Sequence, residues 1–533
     1  MGARTTWEGG ARLPGLFARI AVASQRPAWR RFRHALGDVE EAQRRSLARL
    51  LPSALALNRP AAARIGPGAS WEEFTSRLPL TTWEDHAGWA EPLRRAPPGP
   101  GGPLRFEPTS GSTSARKWIP YPPAFRAELN EAAAAWMCGL ADRHPAILAG
   151  PHYWSLSWLP DDLRAAGEGS DDLALLSPLA RMVLGRLMAV PGTVATLPSS
   201  DEALAATLVH MAARTDLALV SVWSPTFLLR LVEALAARRE QVAAVLAAGR
   251  WEAGGLDIPW KAPRAPAAAR LLRQSDGEAG PELTRALWPR LALVSAWDSA
   301  SSRPFAETLR SLFLQAAFEP KGLWSTEGVI SIPFEGRQPL ALTSHALEFR
   351  CLSTGEVLPP WRLALGQEVQ PVVSGSHGLL RYLLPDRVRV TGFLRKAPCI
   401  EFLGRLGGVD LVGEKVDAAL AQELLDLLRA EGLARPVTLL AVPDGRPLPC
   451  YRLLATPGER GETAAAVAAR TEALLLRLHH YRLARELGQL GPAGAEVRAD
   501  ALEEYHRLMG RPAGADGQVK VEPVVALPAR GAA

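Results

Sequence analysis

Short apolar runs without polar alternation recur in the middle of the chain, each followed by a polar break and a helical pattern. Residues 217–223 (LALVSVW) resemble residues 291–297 (LALVSAW), and a third run lies near residues 318–321. Continuous apolar strands that alternate with helices are typical of a parallel sheet covered on both faces. The pattern therefore predicts an α/β fold. Because ligands bind beyond the carboxyl ends of such strands, we expect Trp223 and Trp297 to line one crevice.

Helical periodicity dominates the chain on the amino-terminal side of these runs. Residues 1 to about 95 have a helical pattern, which ends in the proline- and glycine-rich breaker at 97–103. Apolar residues then recur at helical spacing from Phe125 to Leu140. A capping box, Ser199 with Glu202, predicts the start of a further helix that runs through His210.

The pattern changes after residue 415. It predicts a helix at 416–433, two strands joined by a turn at 443–445, a long helix at 464–487 and a shorter one at 501–509. These elements amount to an α+β module of roughly 120 residues, which is enough for an independent domain.

Composition limits the class of protein. The chain has 533 residues, 47% of them hydrophobic, which is enough apolar material for two or more domains. The net charge of +6 is spread without a long basic run, and this argues against a nucleic-acid-binding protein. The four cysteines are far apart, so the sequence predicts neither a disulfide framework nor a zinc site. We therefore expect a cytoplasmic protein.

Membrane association is not predicted either. No stretch approaches about 18 uninterrupted apolar residues, the length needed for a transmembrane helix. The apolar segment at 13–24 carries Arg19, and we interpret it as an amphipathic helix in preference to a signal peptide.

The segment at 109–117 (TSGSTSARK) combines hydroxyl side chains, a glycine and two cations. Such a loop offers backbone N–H groups, O–H donors and positive charge to one anion, above all a phosphate. The spacing fits neither a Walker loop nor a dinucleotide-binding fingerprint. An ordinary solvated turn is the alternative interpretation.

Three more polar residues are candidates for a role in binding or catalysis. Glu327 follows the third apolar run, and a carboxylate there suits a magnesium ion shared with phosphates. Asp386 precedes the strand pattern at 387–393 and suits two vicinal ribose hydroxyls. Lys520 lies in a glycine-rich loop. Solvated or capping side chains are the alternative for each of them.

Taken in order, five segments resemble the auxin-responsive Gretchen Hagen family of acyl-acid amido synthetases, especially its bacterial branch. The segments are Thr109–Lys117 with Ile119–Tyr121, Ser221–Pro225, Lys321–Gly328, Val390–Phe393 and Leu411–Lys415. The likeness runs from about residue 100 to the end of the chain.

The resemblance implies an architecture and a reaction. The expected fold is α/β, with a large adenylate-forming-type domain at 1–405, built on mostly parallel sheets, and a small mobile α+β domain at 406–533. The implied reaction uses ATP and Mg²⁺ to convert a carboxylic acid into an acyl-adenylate, which an amine, usually that of an amino acid, then captures. Nucleic acids and integral membrane association are not implied.

The resemblance also assigns roles to single residues. Phosphates of ATP would be held by the hydroxyl-rich loop, with charge from Lys117 and from Lys520, which closes over the site. Glu327 would bind Mg²⁺. The remaining nucleotide contacts would be Thr326, Asp386 at the ribose, Phe393 near the adenosine, Arg405 and Lys415. The loop residues concerned are Thr109, Ser110, Gly111, Ser112, Thr113 and Ser114, and Trp223 and Ser224 are candidates for contact with the acyl substrate.

Several alternatives stay open at this point. The ribose motif of the family ends Tyr-Arg-x-Gly-Asp, whereas this chain has YLLPD at 382–386. The departure motivates a degenerate, non-catalytic binding protein as one alternative, and a ligase that uses a thiol such as coenzyme A is another. Trp324 is a candidate for stacking on adenine. Candidates for the base that deprotonates the amine are His152, His345 and His377, and candidates for an apolar pocket are Trp154, Trp158 and Trp223.

Overall fold

The computed structural model divides the chain into two compact units. It describes residues 13–95, 104–108, 117–154, 185, 187–406, 408–445, 447–458, 461–509 and 523–527. The first unit comprises residues 1–107, 119–384 and 389–401, and the second comprises residues 108–118, 385–388 and 402–533.

Helices and strands alternate through both units. The helices are α1 Leu13–Ala35, α2 Val39–Leu57, α3 Arg59–Ala62, α4 Trp71–Arg77, α5 Trp83–Arg95, α6 Pro123–Arg143, α7 Ser200–Ala212, α8 Pro225–Ala237, α9 Arg239–Ala248, α10 Pro266–Gln274, α11 Pro281–Leu287, α12 Arg303–Leu312, α13 Ala418–Ala430, α14 Ala464–Leu475, α15 His479–Glu486 and α16 Ala501–Leu508. The strands are β1 Arg105–Pro108, β2 Trp118–Tyr121, β3 His152–Trp154, β4 Leu219–Ser221, β5 Leu293–Ser295, β6 Ala317–Glu319, β7 Trp324–Ser325, β8 Gly328–Val329, β9 Ala346–Cys351, β10 Val357–Leu358, β11 Glu368–Ser374, β12 Tyr382–Leu383, β13 Asp386–Leu394, β14 Ala397–Arg405, β15 Gly408–Val409, β16 Val416–Asp417, β17 Ala434–Val442, β18 Cys450–Pro457, β19 Gly494–Val497 and β20 Val524–Ala526. Among the described helices, none combines the length and the apolar character that crossing a bilayer requires.

The predicted parallel sheet is present in the first unit. Strands β3, β4, β5 and β6 lie side by side in this order, and every neighbouring pair is parallel. The two similar apolar runs supply the central strands β4 and β5, whose residues are all buried. Helices before and after them bury the apolar side chains of one sheet face in a large core, which includes Val220, Val294 and Trp288. Leu219 and Leu293, which alternate with these valines and face the other side, are buried too. Burial on both faces explains why these strands lack polar alternation.

A second sheet differs from the expectation of mostly parallel sheets. Its order is β10-β9-β11-β13-β14, and β9 pairs antiparallel with both β10 and β11. Along β13, Val388 and Val390 are buried while Arg387 and Arg389 are exposed. This alternation is typical of a sheet with one solvated face, and it was visible in the sequence.

The helices predicted for residues 1 to about 95 are confirmed as α1 to α5 within the described residues. Residues of α2 and α4 form an apolar core with Ala346 of β9 and with Leu380. Gln43 of α2, which is buried, donates hydrogen bonds to the carbonyl oxygens of Leu342 and His345 at 2.9 and 3.0 Å. The amino-terminal helices are therefore anchored to the antiparallel sheet by both apolar and polar contacts.

A buried ion pair joins the same helices to the sheet. The Arg381 guanidinium donates to both carboxylate oxygens of Glu348 on β9, at 2.9 and 2.8 Å. It also donates to the carbonyl oxygens of Thr75 in α4 and of Leu78 just after that helix, at 2.7 and 2.5 Å. Both charged side chains are buried. The guanidinium of Arg381 thus binds the Glu348 carboxylate and two backbone carbonyl oxygens at once. It joins its own segment to β9 and to the end of α4.

The second unit contains the predicted α+β module. Strands β17 and β18 pair antiparallel around the predicted turn, and β20 and β19 flank them in parallel, giving the order β19-β18-β17-β20. The single long helix predicted at 464–487 is wrong, because the chain turns between α14 and α15. This turn brings Tyr481 and Arg485 back to Glu472, to which each donates a hydrogen bond of 2.6 Å.

Replacement of Arg381 tests the buried ion pair. We expect Arg381→Met to lower the free energy of unfolding by about 3–5 kcal/mol, because it leaves the Glu348 carboxylate buried without its partner. Chemical denaturation followed by circular dichroism measures the effect. Arg389→Met is the matched control, since Arg389 and Glu368 form a solvent-exposed pair whose loss should have little effect on stability. Equal stability of the two variants would contradict the role of Arg381.

Candidate functional site

The last residues of the four parallel strands form one row. Trp154 pairs with Ser221, Ser221 with Ser295, and Ser295 with Glu319 across the sheet. Because the strands are parallel and in this register, the chain leaves all four strands at the same edge. The segments that follow these strands are thereby brought together, as the sequence predicted.

Trp223 and Trp297 lie in contact at this edge. The backbone N–H of Trp297 donates to the carbonyl oxygen of Trp223 at 2.9 Å, and the two ring centroids are 5.8 Å apart. The side chain of Trp223 is 38% exposed, unusually open for a tryptophan. Ser224 takes the N-cap position of α8, and Pro225 lies in its first turn. The shared edge predicted for the two tryptophans is confirmed.

A cluster of tryptophans extends from Trp223 into the protein. The ring of Trp324 lies 6.0 Å from that of Trp223 and 6.0 Å from that of Trp136 on α6. Trp136 in turn contacts Trp154 at the end of β3, with 5.6 Å between ring centroids. We call these four residues, together with Trp297, the tryptophan cluster.

Lys321 lies inside the tryptophan cluster, and the sequence analysis gave it no role. Its Nζ atom is 4.6, 5.4 and 5.1 Å from the ring centroids of Trp136, Trp154 and Trp223. It donates a short hydrogen bond to Oγ of Ser221 at the end of β4. The residue is only 2% exposed, and burial lowers the pKa of its ammonium group to about 7. In the sequence it is marked only as a lysine two residues after the end of β6.

The turn after Lys321 has a backbone that only glycine accommodates. Gly322 has a φ of +79°, and a Cβ atom there would lie 2.4 Å from the carbonyl oxygen of Ser331. The indole N–H of Trp324 donates back to the carbonyl oxygen of Lys321 at 3.1 Å. Local geometry therefore fixes Lys321 relative to Trp324.

Thr326 and Glu327 form the tight turn between strands β7 and β8. The carbonyl oxygen of Thr326 accepts a hydrogen bond of 2.8 Å from the Tyr121 hydroxyl on β2. The carbonyl oxygen of Glu327 accepts one of 3.0 Å from Nε2 of His377. The Glu327 side chain is largely buried. Both backbone carbonyls of the turn are thus held by side chains from elsewhere in the first unit, which fixes the backbone that carries Glu327.

A buried polar network supports this turn. His377 stacks on Phe125 of α6, with 4.0 Å between ring centroids. Glu128, one helical turn later, accepts hydrogen bonds from the backbone N–H of Ser376 at 3.3 and 3.2 Å and from its hydroxyl. Nδ1 of His345 lies 3.0 Å from the same carboxylate. The helix pattern had marked only apolar residues on α6, and Glu128 was missed.

The three histidines proposed as bases have structural contacts instead. His152, His345 and His377 are all buried. Nε2 of His152 lies 2.8 Å from the carbonyl oxygen of Ile147. Burial lowers the pKa of His152 to about 4 and that of His377 to about 3. Because all three side chains are buried and hold structural contacts, we do not propose any of them as the base.

Phe393 and the ends of the antiparallel sheet carry other predicted residues. Phe393 lies on β13 with its side chain 37% exposed, and its carbonyl oxygen accepts from Arg337 at 2.9 Å. Arg405 is the last residue of β14. Lys117, Asp386, Arg405 and Lys415 belong to the second unit. Asp386 is buried, whereas Lys117 is half-buried.

Lys415 lies at the end of a closed loop within the second unit. Strands β15 and β16 pair antiparallel, so residues 410–415 form the connection between them. Glu414 fills this loop: its carboxylate accepts hydrogen bonds of 2.8 Å from the backbone N–H groups of both Leu411 and Val412, and another from the Tyr451 hydroxyl. Burial raises the pKa of Glu414. Lys415 itself has a φ of +53°, so the loop holds it in a strained conformation.

Part of the predicted site lies outside the described residues. This part comprises Thr109, Ser110, Gly111, Ser112, Thr113, Ser114, Trp158 and Lys520. The two strands that flank the hydroxyl-rich loop, β1 and β2, pair with each other.

The predicted magnesium ligand is a single carboxylate. Among the described residues, no group of three or more histidine, cysteine, aspartate or glutamate side chains is placed to hold a metal ion. Magnesium in nucleotide sites keeps several waters and takes one or two carboxylates together with substrate phosphates. A single carboxylate such as Glu327 fits that mode of binding. A metal site made of protein ligands alone is not present in the described part of the chain.

Comparison with known families gives two matches. The model described as the GH3 family N-terminal domain matches residues 28–317. The model described as the GH3 family central domain matches residues 339–405. The first match alone spans more than half of the chain.

Solved structures of similar fold agree with these matches. One is described as GH3.15 acyl acid amido synthetase, with a TM-score of 0.57, 16% identity and 92% of each chain covered. Another is described as AtGH3.15 acyl acid amido synthetase in complex with 2,4-DB, with a TM-score of 0.62, 15% identity and coverage of 95% of this chain and 94% of that one. At such low identity the likeness shows the fold, and the predicted α/β fold class is confirmed. The search of curated proteins found no match.

The buried histidines predict a loss of stability in acid. The unfolded chain protonates histidine near pH 6.5, whereas burial lowers the pKa of His86 and His152 to about 4 and that of His377 to about 3. As the pH falls below about 6.5, the unfolded state therefore binds protons that the folded state does not. Between pH 7 and pH 5 we expect each site to cost on the order of 1–2 kcal/mol of unfolding free energy.

Urea denaturation at the two pH values measures this loss. His377→Asn should reduce the pH dependence by one site, whereas His34→Asn, at an exposed position, should leave it unchanged. Equal stability at pH 5 and pH 7 would show that these histidines are not held neutral.

Proposed function

The chain belongs to the GH3 family, and on this premise we propose that it is an ATP-dependent ligase that activates a carboxylic acid as its acyl-adenylate and conjugates it to an amine, in particular that of an amino acid. Family membership agrees with the resemblance to the Gretchen Hagen synthetases. The bacterial branch stays a prediction.

One observation carries the proposal: the Thr326–Glu327 turn is held rigidly in the first unit by Tyr121 and His377. The resemblance assigns this turn to the nucleotide, and a rigid backbone has a use there because it adds little reorganisation when charge develops on phosphates. The tryptophan cluster, which includes Trp324 of the same hairpin, supplies apolar surface for an acyl acid.

The chemistry explains why such a site needs cations but no nucleophile. A free carboxylate acylates poorly because its leaving group would be oxide, and adenylation replaces that group with a stabilised phosphate. Positive side chains then stabilise charge on the phosphates, the part proposed for Lys117 and Lys520. Magnesium bound at Glu327 would supply further charge neutralisation.

The proposed roles of the remaining residues follow the resemblance. The hydroxyl-rich loop, with Ser110 to Ser114, binds phosphates, and Thr326 lies beside the nucleotide. Asp386 binds the ribose, Phe393 contacts the adenosine, and Arg405 and Lys415 reach the nucleotide. Trp223 and Ser224 contact the acyl acid. One of the similar structures contains 2,4-DB, and by analogy we propose a small carboxylic acid as the substrate of this chain.

We propose residues 1–405 as the domain that binds ATP and the acyl acid, and residues 406–533 as the smaller second domain. Each of the four cysteines is free of disulfide bonds. This suits the reducing cytoplasm, which we propose as the location.

Pyrophosphate exchange tests the first half-reaction. With ATP, magnesium and a panel of carboxylic acids, we expect acid-dependent exchange of labelled pyrophosphate into ATP. Glu327→Gln and Lys117→Ala should each reduce the exchange rate by about 10²-fold or more, because each removes charge stabilisation at the phosphates. Glu307→Gln and Lys261→Ala, at exposed positions, are the matched controls and should retain the wild-type rate. Wild-type exchange in Glu327→Gln or in Lys117→Ala would remove the role of that residue, and a complete lack of exchange in the wild type would favour the non-catalytic alternative.

The identity of the acceptor is a separate prediction. After an acid that supports exchange has been found, amino acids and coenzyme A are added in parallel and the products are identified by mass spectrometry. We expect an amide with at least one amino acid and no thioester. A thioester as the sole product would contradict the proposed amide ligase and favour the thiol-dependent ligase. The proposed adenylation step would be unaffected.

A further inference from the structure

Lys321 is a buried cation without a buried anion. Its hydrogen bond goes to the neutral hydroxyl of Ser221, and no carboxylate of the described residues forms an ion pair with it. Taking an ammonium group out of water costs several kcal/mol unless a counter-charge compensates. Three tryptophan rings within 5.4 Å of Nζ compensate only in part, through cation–π attraction. A cation kept in such a place is an indication of function.

Several hydrogen-bond donors near Lys321 have no acceptor among the described residues. The indole N–H groups of Trp136 and Trp154 are buried and have no acceptor among the described residues. The hydroxyl of Ser295, the register neighbour of Ser221, is likewise buried without a partner. Indole can only donate, and ammonium can only donate. Three donors without an acceptor, together with an ammonium group that meets only a neutral hydroxyl, are complementary to an oxyanion.

The surroundings also indicate the shape of the group that carries this oxyanion. Trp223 contacts Lys321, yet it is 38% exposed. Its ring therefore extends from the buried ammonium group to solvent. Trp297 and Trp324 flank it with further flat apolar faces. A ligand that reaches Lys321 along Trp223 would pack an apolar, flat body against these rings.

We propose that Lys321 binds the carboxylate of the acyl acid and that Trp223 is the wall against which the rest of the acid packs. This assignment rests on the proposed function, because it names the substrate-binding residue of the same ligase. It makes Lys321 a specificity-determining residue: neutral analogues of the acid lack the charge that the buried ammonium requires, and their binding leaves the ammonium uncompensated.

Direct binding without ATP tests this proposal independently of catalysis. Quenching of tryptophan fluorescence is titrated with benzoate, phenylacetate and 2-naphthoate, at pH 6.5 so that the ammonium form of Lys321 dominates. Benzamide serves as the uncharged match of benzoate, and cyclohexanecarboxylate as its non-planar match. We expect saturable binding of at least one aromatic acid, at least tenfold weaker binding of cyclohexanecarboxylate than of benzoate, and no saturation with benzamide.

Variants then assign the binding to the two residues. Lys321→Met should raise the dissociation constant of the acid by about 30-fold or more, the usual effect of truncating one partner of a buried charge pair. Lys261→Met, at an exposed position, should leave it unchanged. Trp223→Leu should reduce the preference for benzoate over cyclohexanecarboxylate. Because Lys321→Met removes a buried unpaired charge, we expect it to fold and to resist urea at least as well as the wild type.

Three outcomes overturn the inference: Lys321→Met binds the acids as the wild type does, benzamide binds as tightly as benzoate, or no acid of the panel binds. The proposed function fails by a different observation, namely binding of an acid that never supports pyrophosphate exchange. An acid that supports exchange with an unchanged KM in Lys321→Met would refute the role of Lys321 alone. A raised KM for the acid with an unchanged KM for ATP supports it.

Discussion

The parallel register of strands β3 to β6 is the constraint on which the candidate site depends. It places Trp154, Ser221, Ser295 and Glu319 in one row at the end of the sheet. From that row the chain continues to Trp223, to Trp297 and to Lys321. A shift of one residue in any strand would turn its row residue to the opposite face, and the contact between Lys321 and Ser221 would be lost.

Much of this edge could be predicted from the sequence, because continuous apolar runs are a strong signal for buried parallel strands. The runs at 217–223 and 291–297 marked β4 and β5 and the tryptophans behind them. Lys321 was missed because one lysine after a strand carries no signal of its own burial, and its surroundings come from segments far apart in the chain. Trp136 lies on α6 and Trp154 ends β3, and no spacing rule links them to Lys321.

Other misses have equally local causes. The antiparallel sheet was not predicted, although Val388 and Val390 alternate with arginines along β13 as in a strand with one solvated face. Glu128 and Glu414 are buried acids satisfied by hydrogen bonds, and a sequence does not distinguish such acids from solvated ones. The long helix at 464–487 was predicted through a turn that only the contacts of Glu472 explain. Tertiary contacts thus determine local structure at positions where the sequence periodicity gives no prediction.

The family assignment, the fixed turn at Thr326 and Glu327, and the buried Lys321 together support one site for an acyl acid. A crystal structure with a non-hydrolysable ATP analogue, magnesium and a tight-binding acid tests that combination most directly. The account predicts the carboxylate of the acid within hydrogen-bonding distance of Lys321 Nζ and phosphate density beside Thr326 and Glu327. An acid bound away from the tryptophan cluster, with Lys321 still enclosed and unpaired, would contradict it.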